Sequence, residues 1–204
     1  MARTTAPFRQ TWTALRALLI FTVVLGVGYP LVVLGFGQAL FPAQANGSLV
    51  LADGEVVGSS LIGQSFTDAE GNALPEWFQS RPSAAGSGYD AGASSGSNYG
   101  PENPDLIAAI EARRAAIAEL EGVDLADIPA DALTASASGL DPHISPEYAM
   151  LQVDRVAAAR GLDADDVRAL VVDHTRGRDL GFLGEPTVNV LELNIALAEL
   201  DTAD

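Results

Sequence analysis

The sequence contains no cysteine and no lysine, and only two of its 204 residues are histidines. Without cysteine the chain can form no disulfide, thiolate nucleophile or cysteine-based metal site. Without lysine it cannot supply the G-x-x-x-x-G-K-[ST] loop that cradles nucleotide phosphates. His143 and His174 also lack a second ligand at a metal-binding spacing. We therefore expect this chain to bind no metal and no cofactor of its own.

No acidic residue occurs before Asp53. Arg3, Arg9 and Arg16 precede it, so this N-terminal part is basic. After residue 41 the other eight arginines face all 27 acidic residues, which leaves a net charge of −19. A surface this negative repels phosphate backbones and anionic lipid. The charge therefore argues against a nucleic-acid partner.

One long apolar run, residues 17–34, contains no charged residue. As a helix its eighteen residues span about 27 Å, close to the hydrocarbon thickness of a bilayer. The three arginines lie on its N-terminal side, which the positive-inside rule assigns to the cytoplasm. We therefore predict a cytoplasmic N-terminus at 1–11, a transmembrane helix with flanks at 12–41 and an extracytoplasmic domain at 42–204.

A cleaved signal peptide is the alternative, because "AQA" at 43–45 fits the A-x-A cleavage pattern and would release a secreted binding module. The apolar run exceeds the 7–15 residues typical of a signal peptide, which favours a retained anchor.

Within the apolar run, Thr22, Gly26 and Pro30 recur every four residues and predict a shallow face for close helix packing. A solitary anchor with incidental glycines explains this spacing equally well. Pro30 also predicts a bend in the helix, because it lacks an N–H group and crowds the carbonyl of Gly26.

The part after the apolar run is predicted to be α+β, with strands early and helices late. Strands are expected at 49–51 and 56–57, joined by a type I′ turn at Asp53-Gly54, and at 76–80. Residues 81–104 are rich in glycine and serine, but Arg81, Tyr89 and Tyr99 favour an ordered loop over a flexible linker.

Four helices are expected to follow, each identified by its capping residues. They are predicted from Pro104 to Gly122 with Asn103 as the cap, from Pro146 to Gly161 with Ser145 as the cap, after Asp163, and after Asn189 with Glu192 in a capping-box-like pair.

The stretch "SGLDPHISP" at 138–146 brings together residue types that occur in acyl-transfer sites. His143 and Ser145 are two residues apart and would point the same way in extended backbone, which suggests a membrane-anchored extracytoplasmic hydrolase. No G-x-S-x-G elbow is present, however, and Ser145 directly precedes Pro146 and Glu147. A turn at Asp141-Pro142 followed by an N-cap at Ser145 is the favoured interpretation.

Seven motifs together resemble one family. They are "FPAQANGSL" (41–49), "LIGQSF" (61–66), "SRPSA" (80–84), "SSGSNYGPENPDL" (94–106), "TASASGLDPHISP" (134–146), "RVAAARGL" (155–162) and "GEPTVNVLELNIAL" (184–197). In order and spacing they resemble the C subunit of the Kdp-type potassium-transporting ATPase, a bacterial high-affinity potassium importer.

This resemblance implies a non-catalytic membrane subunit that supports assembly. Its implied partners are a channel-like potassium-binding subunit, a P-type ATPase subunit and a small single-span subunit. The family role also includes a chaperone-like effect proposed to raise the ATP affinity of the ATPase subunit, so ATP would be bound only through that partner. The family-motif loops make six residues candidates for functional contacts: Arg81, Ser83, Ser97, Asn98, Asp141 and Asn189.

Overall fold

The computed structural model describes residues 7–201, so Arg3 of the predicted cytoplasmic segment lies outside the described residues. The chain divides into two compact units, with the boundary between Ser48 and Leu49. The fold is α+β, as predicted, with one long apolar helical segment near the N-terminus.

The N-terminal unit is built around a helical segment from Phe8 to Leu40 that is long and apolar enough to cross a membrane. It consists of helix α1 (Pro7–Val23), a π-helical turn (Val24–Gly28) and helix α2 (Tyr29–Leu40). In the π turn the N–H of Tyr29 donates to the carbonyl of Val24. Near Pro30, where a bend was expected, the structure has this widened turn just before the proline, and the bend itself stays a prediction.

After the long helical segment comes a short helix, α3 (Pro42–Ala45). The side chain of Asn46 bonds to both helices at this end of the unit. Its amide donates to the Pro42 carbonyl of α3 at 2.7 Å and exchanges hydrogen bonds of 3.1 Å with Gln38 of α2.

The second unit begins with an antiparallel hairpin of β1 (Leu49–Ala52) and β2 (Glu55–Ser59). Asp53 and Gly54 have φ values of 51° and 82°. Positive φ at both central residues is the signature of a type I′ turn, so the predicted turn is confirmed.

The predicted strand at 76–80 is wrong, because Glu76 lies in a turn, Trp77 lies in a bend, and residues 78–80 pair with no strand of the described chain. Two amide side chains from helices take the place of a neighbouring strand. Asn194 accepts from the N–H of Phe78 at 2.9 Å and donates to its carbonyl at 3.0 Å. Gln152 pairs in the same way with the N–H and carbonyl of Gln79, at 2.6 and 3.2 Å.

Residues 81–103 form the expected loop, with one 3₁₀ turn at Ala91–Ala93. Helix α4 (Pro104–Glu121) follows, capped by the Asn103 side chain and ended by Gly122 at φ 67°. Asn103 accepts from the N–H groups of Asp105 and Leu106. The predicted start and end of this helix are both confirmed.

The helix predicted from Pro146 to Gly161 is instead two helices, α6 (Pro146–Leu151) and α7 (Val153–Arg160). At the junction the N–H of Gln152 bonds to the Ala149 carbonyl, one residue closer than in an α-helix. The Gln152 side chain then donates to the Tyr148 carbonyl at 3.3 Å. The same side chain that holds Gln79 therefore interrupts the helix.

Strands also occur late in the chain, which corrects the predicted order of strands early and helices late. A short helix α5 (Ala130–Leu133) and helix α8 (Ala164–Asp173) alternate with strands β3 (His143–Ile144) and β4 (Thr175–Arg176). Strand β5 (Thr187–Asn189) leads directly into α9 (Val190–Asp201). The three strands form an antiparallel sheet in the order β3-β5-β4.

The core of the second unit lies between this sheet and helices α6 to α9. Its largest fully buried side chains are Phe78, Ile144, Leu193, Leu197, Gln152, Val153, Val156, Val167, Val171, Val188, Val190 and Asn194. The core thus contains the two amides that bond to the backbone of residues 78–79.

Candidate functional site

Four of the six candidate loop residues lie close together where the loop after Ser80 meets the loop before α6. Arg81 donates to the Asp141 carboxylate at 2.9 Å and to the Thr134 carbonyl at 3.1 and 3.3 Å. The guanidinium therefore joins two segments 53 and 60 residues away in sequence. We call Arg81, Ser83, Tyr89, Gly139 and Asp141 the loop junction.

Ser83 connects the same two loops a few residues further on. Its hydroxyl donates to the Gly139 carbonyl at 2.6 Å and accepts from the N–H of Tyr89 at 2.8 Å. The Tyr89 hydroxyl donates to the Arg81 carbonyl at 2.8 Å, and burial raises the pKa of this phenol to about 12. These bonds fold the 81–89 segment back on itself, which supports the prediction of an ordered loop.

Gly139 is the point of closest backbone approach in the loop junction. Its φ is 67°, and a Cβ there would lie 2.6 Å from the Ser95 carbonyl oxygen and 2.7 Å from the Ala85 nitrogen. The N–H of Ser95 also donates to the Ser138 carbonyl at 2.9 Å. Only glycine fits a left-handed position with backbone on two sides, so three loop segments meet here without a side chain between them.

Asp141 is the charged centre of the loop junction. Burial alone would raise its pKa, but hydrogen bonds from the side chain and backbone N–H of His143 and the charge of Arg81 outweigh burial and lower it. The His143 Nδ1 lies 3.2 Å from the Asp141 Oδ1. The carboxylate therefore stays ionised. It pairs with Arg81 and accepts from the N–H of His143, which fixes the turn after Asp141.

This lowered pKa predicts a pH-dependent contribution to stability. A carboxylate whose folded-state pKa lies below its ordinary value of 3.8 stabilises the fold above that pH and loses the effect as the pH falls through the folded pKa. Asp141→Asn should therefore be less stable than the wild type at pH 6, and the difference should shrink at pH 3. Denaturant unfolding of the detergent-solubilised chain at both pH values measures it, and an equal difference at both would contradict the prediction.

Asn189 adjoins the loop junction through the sheet. It is paired with His143 in the β3–β5 register, its amide donates to the Ser60 carbonyl at 2.8 Å, and its Oδ1 accepts from the N–H of Glu192 at 3.2 Å. Asn189 therefore caps α9, as predicted, and also fixes the segment after β2. Ser97 and Asn98, by contrast, are exposed, and Asn98 donates to Gly96 within its own loop.

Ser145 is the N-cap of α6, as predicted. Its hydroxyl accepts from the N–H of Tyr148 at 3.0 Å and donates to the Asp131 carboxylate at 2.8 Å. The Ser145 N–H donates to the same carboxylate at 2.7 Å. A hydrolase would need this hydroxyl to pass its proton to His143, but it is directed to Asp131, while His143 bonds to Asp141.

Removing this cap tests the structural role of Ser145. Ser145→Ala should lower the free energy of unfolding by about 1–2 kcal/mol, because the Tyr148 N–H loses its acceptor. Ser145→Thr keeps a hydroxyl and is the matched control. A Ser145→Ala variant as stable as Ser145→Thr would contradict the capping role.

Two cavities flank Arg81. A groove of about 480 Å³ is lined by Arg81, Asp141, His143, Glu185, Pro186 and Thr187 among others. A larger open cavity of about 920 Å³ is lined by Ser83 and Tyr89 of the loop, Arg113 of α4 and Tyr148 of α6, among others. Within residues 7–201 no group of three or more acidic residues and histidines is placed to hold a metal ion. The hydrogen bonds of Arg81, Ser83 and Asp141 hold parts of both cavity walls in place.

The sequence patterns did not identify the side chains that hold residues 75–79 in place, which are Gln152, Asn194 and the ion pair of Glu121 with Arg155. The Arg155 Nε lies 2.9 Å from the Glu121 carboxylate, and its Nη1 donates to the Trp77 carbonyl at 3.0 Å. One sequence signal was available: Asn194 falls among Val190, Leu193 and Leu197, on the face of α9 that enters the core.

In the N-terminal unit the packing face of Thr22, Gly26 and Pro30 stays a prediction, and the structure gives only the positions of its residues. Gly26 lies in the π turn, and a Cβ built on it would be 4.0 Å from the Thr22 methyl group, so these two positions are adjacent on the helix surface. Thr22, Gly26 and Pro30 are all exposed.

Comparison with known proteins gives the same family over most of the chain. The family model described as "K+-transporting ATPase, c chain" matches residues 11–199. Proteins named "Potassium-transporting ATPase KdpC subunit" are similar to this chain: that of Kineococcus radiotolerans is 59% identical over 93% of both chains. That of Methylococcus capsulatus is 54% identical over 92% of this chain and 96% of its own. The chain therefore belongs to the KdpC family, the c chain of K+-transporting ATPases.

Proposed function

We propose that this chain is a non-catalytic accessory subunit that supports assembly of a high-affinity, ATP-driven potassium importer. The observation that carries the proposal is the extent of the family match, which runs from α1 into α9 and so includes both the apolar helix and the second unit. The partners we propose are a channel-like potassium-binding subunit, the P-type ATPase subunit and a small single-span subunit.

We further propose a single-pass topology with the N-terminus in the cytoplasm and the acidic domain outside the cell membrane. Arg9 and Arg16 precede an apolar stretch that lacks acidic residues, and 27 acids follow it, which supports this orientation under the positive-inside rule. A reporter that is active only in the cytoplasm should be silent when fused after Asp204. A strong signal would overturn the orientation.

The effect on ATP affinity is proposed to be indirect. With the domain outside, it cannot contact cytoplasmic ATP, so coupling has to pass through the membrane helix or the channel-like subunit. Because the chain is proposed to raise the ATP affinity of the ATPase subunit, the KM for ATP of the complex should rise when the chain is removed. A KM unchanged by removal, in a complex that still hydrolyses ATP, would contradict this part of the proposal.

The test of the accessory function is growth at limiting potassium. Cells that lack this chain but retain the partner subunits should fail to grow at low external potassium and recover when the chain is supplied. Recovery by the Ser145→Ala variant would separate this function from hydrolase chemistry. Growth at low potassium without the chain would contradict the proposal.

The membrane helix should itself contribute to docking. Gly26→Leu adds a large side chain to the face that Thr22 and Gly26 share, so the chain should be retained less well with its partners in detergent. Gly35→Leu is the matched control, because no atom lies within 4 Å of a Cβ built on Gly35. Equal retention of both variants would favour a simple anchor.

A further inference from the structure

Tyr148 is a buried residue in the wall of the larger cavity beside Arg81. It lies on α6, and only 3% of its surface is exposed. Its backbone N–H and carbonyl bond to the side chains of Ser145 and Gln152. Its phenol hydroxyl, by contrast, makes no hydrogen bond to any other residue within 7–201. An unpaired hydroxyl in a protein interior is unfavourable, so an acceptor from outside the chain would stabilise it.

The hydroxyl of Tyr148 is a hydrogen-bond donor at any physiological pH. Burial raises the pKa of this phenol, and the charges of Glu121 and Asp131 add to the effect. A phenol that keeps its proton can donate to a carbonyl or a carboxylate. The other tyrosine of the cavity wall, Tyr89, already donates to the Arg81 carbonyl at 2.8 Å. Tyr148 therefore offers a donor that the described part of the chain does not use.

Arg113 brings positive charge to the wall of the same cavity. It lies on α4 and donates through Nη1 to the Leu133 carbonyl at 3.0 Å. Acids outnumber arginines 27 to 8 after residue 41, yet no acidic side chain among residues 7–201 forms an ion pair with Arg113. Arg81, elsewhere in the wall, is already paired with Asp141. The remaining N–H groups of Arg113 are therefore suited to binding an anion.

Helix α5 connects the two donors. Arg113 bonds to Leu133, the last residue of this short helix. Asp131 of the same helix is close enough to Tyr148 for its charge to act on the phenol. Ala132 lies between these two residues of α5 in sequence and lines the cavity. Both donors are therefore next to one short helix and one cavity.

The remainder of the wall indicates which kind of anion fits. Phe66, Ile117 and Leu120 give the cavity apolar surface, which suits an organic molecule. Glu119 also lines the cavity, and the domain carries a net charge of −19, so a doubly charged anion such as phosphate would be repelled. A carboxylate on an apolar body carries one negative charge and can accept from both a guanidinium and a phenol. The cavity volume of about 920 Å³ is within the range of small-molecule sites.

We propose that this cavity is a binding site for a small organic carboxylate. The Tyr148 hydroxyl and the Arg113 guanidinium donate to the carboxylate oxygens, and Phe66 and Ile117 contact the apolar part of the molecule. The site lies within the second unit and requires no partner subunit. The inference therefore goes beyond the proposed function and can fail without it.

The test uses the full chain in detergent, with benzoate as the probe and benzamide as its uncharged counterpart. Benzoate should raise the melting temperature of the wild type in a concentration-dependent way, because a ligand that binds only the folded state stabilises it. Benzamide and inorganic phosphate should leave the melting temperature unchanged. Titration calorimetry of the same sample gives the Kd for benzoate.

Tyr148→Phe is the decisive variant, because it removes the hydroxyl and keeps the ring. It should raise the Kd for benzoate about tenfold, since one hydrogen bond to a charged group is lost. Without benzoate it should melt at the wild-type temperature or higher, because the hydroxyl has no partner among residues 7–201. The control Tyr99→Phe alters a tyrosine that is 48% exposed and outside the cavity wall, and it should bind benzoate like the wild type. Arg113→Gln should also raise the Kd about tenfold.

A Kd for benzoate that is the same in Tyr148→Phe and the wild type would overturn the inference. So would equal binding of benzamide, since the cavity would then not recognise the charge, or no binding of benzoate up to millimolar concentrations. Tighter binding of phosphate than of benzoate would overturn it in favour of an inorganic anion. Each of these results leaves the proposed function intact, because growth at limiting potassium tests that function separately.

Discussion

Replacing Arg155 by methionine is expected to lower the free energy of unfolding by about 3–5 kcal/mol, because it leaves a buried carboxylate without its partner. The side chains of Arg155 and Glu121 are only 7% and 1% exposed. Burial raises the pKa of Glu121, and Arg155 opposes that shift. The same guanidinium donates to the carbonyls of Pro75 and Trp77, so the variant also loses contacts that hold the 75–79 segment.

Denaturant unfolding of the detergent-solubilised chain measures this loss. Arg168→Met is the matched control, because Arg168 is 46% exposed and pairs with exposed carboxylates, and it should change stability by less than about 1 kcal/mol. The deficit of Arg155→Met should shrink as the pH falls through the raised pKa of folded Glu121, because a protonated carboxyl no longer requires the charge of Arg155. A loss no larger than that of Arg168→Met would contradict the prediction.

Replacing Asn194 by alanine should lower the free energy of unfolding by about 2–4 kcal/mol, because a buried N–H and a buried carbonyl both lose their partner. These groups belong to Phe78, which is completely buried, while Asn194 itself is 2% exposed. Asn194→Asp should also be destabilising, since a carboxylate can accept from the N–H but faces the carbonyl without a hydrogen to donate.

Thermal and denaturant unfolding check this prediction against Asn72→Ala, which removes an exposed hydrogen bond to Asp68. Asn72→Ala should lower stability by less than about 1 kcal/mol. If Asn194→Ala lowered the free energy of unfolding no more than this control does, the amide side chains would not be the groups that replace a partner strand beside residues 78–79.

Local features of the fold could be predicted from the sequence because their chemistry lies within a few residues. Asn103, Ser145 and Asp163 cap the helices that follow them, as their positions before proline or acidic residues indicated. Asp53-Gly54 likewise specifies its own turn. The long apolar helical segment was evident from its length and lack of charge.

Contacts between distant segments could not be predicted in this way. Asn194 and Phe78 are 116 residues apart, and nothing in the pattern around Phe78 shows that a side chain will replace a strand. Strands β3, β4 and β5 have only two or three residues, too few to show a period of two. The candidate site was predicted in part: Arg81, Ser83, Asp141 and Asn189 lie together, but the partners that join them become evident only in the folded chain.

Affinity purification of the tagged chain, from membranes of cells that express it with the other subunits, tests its role in the transport complex most directly. The detergent eluate should contain the channel-like subunit, the P-type ATPase subunit and the small single-span subunit, and it should hydrolyse ATP in a potassium-stimulated manner. Elution of the chain alone, from membranes in which the other subunits are present and active, would contradict its role as a subunit.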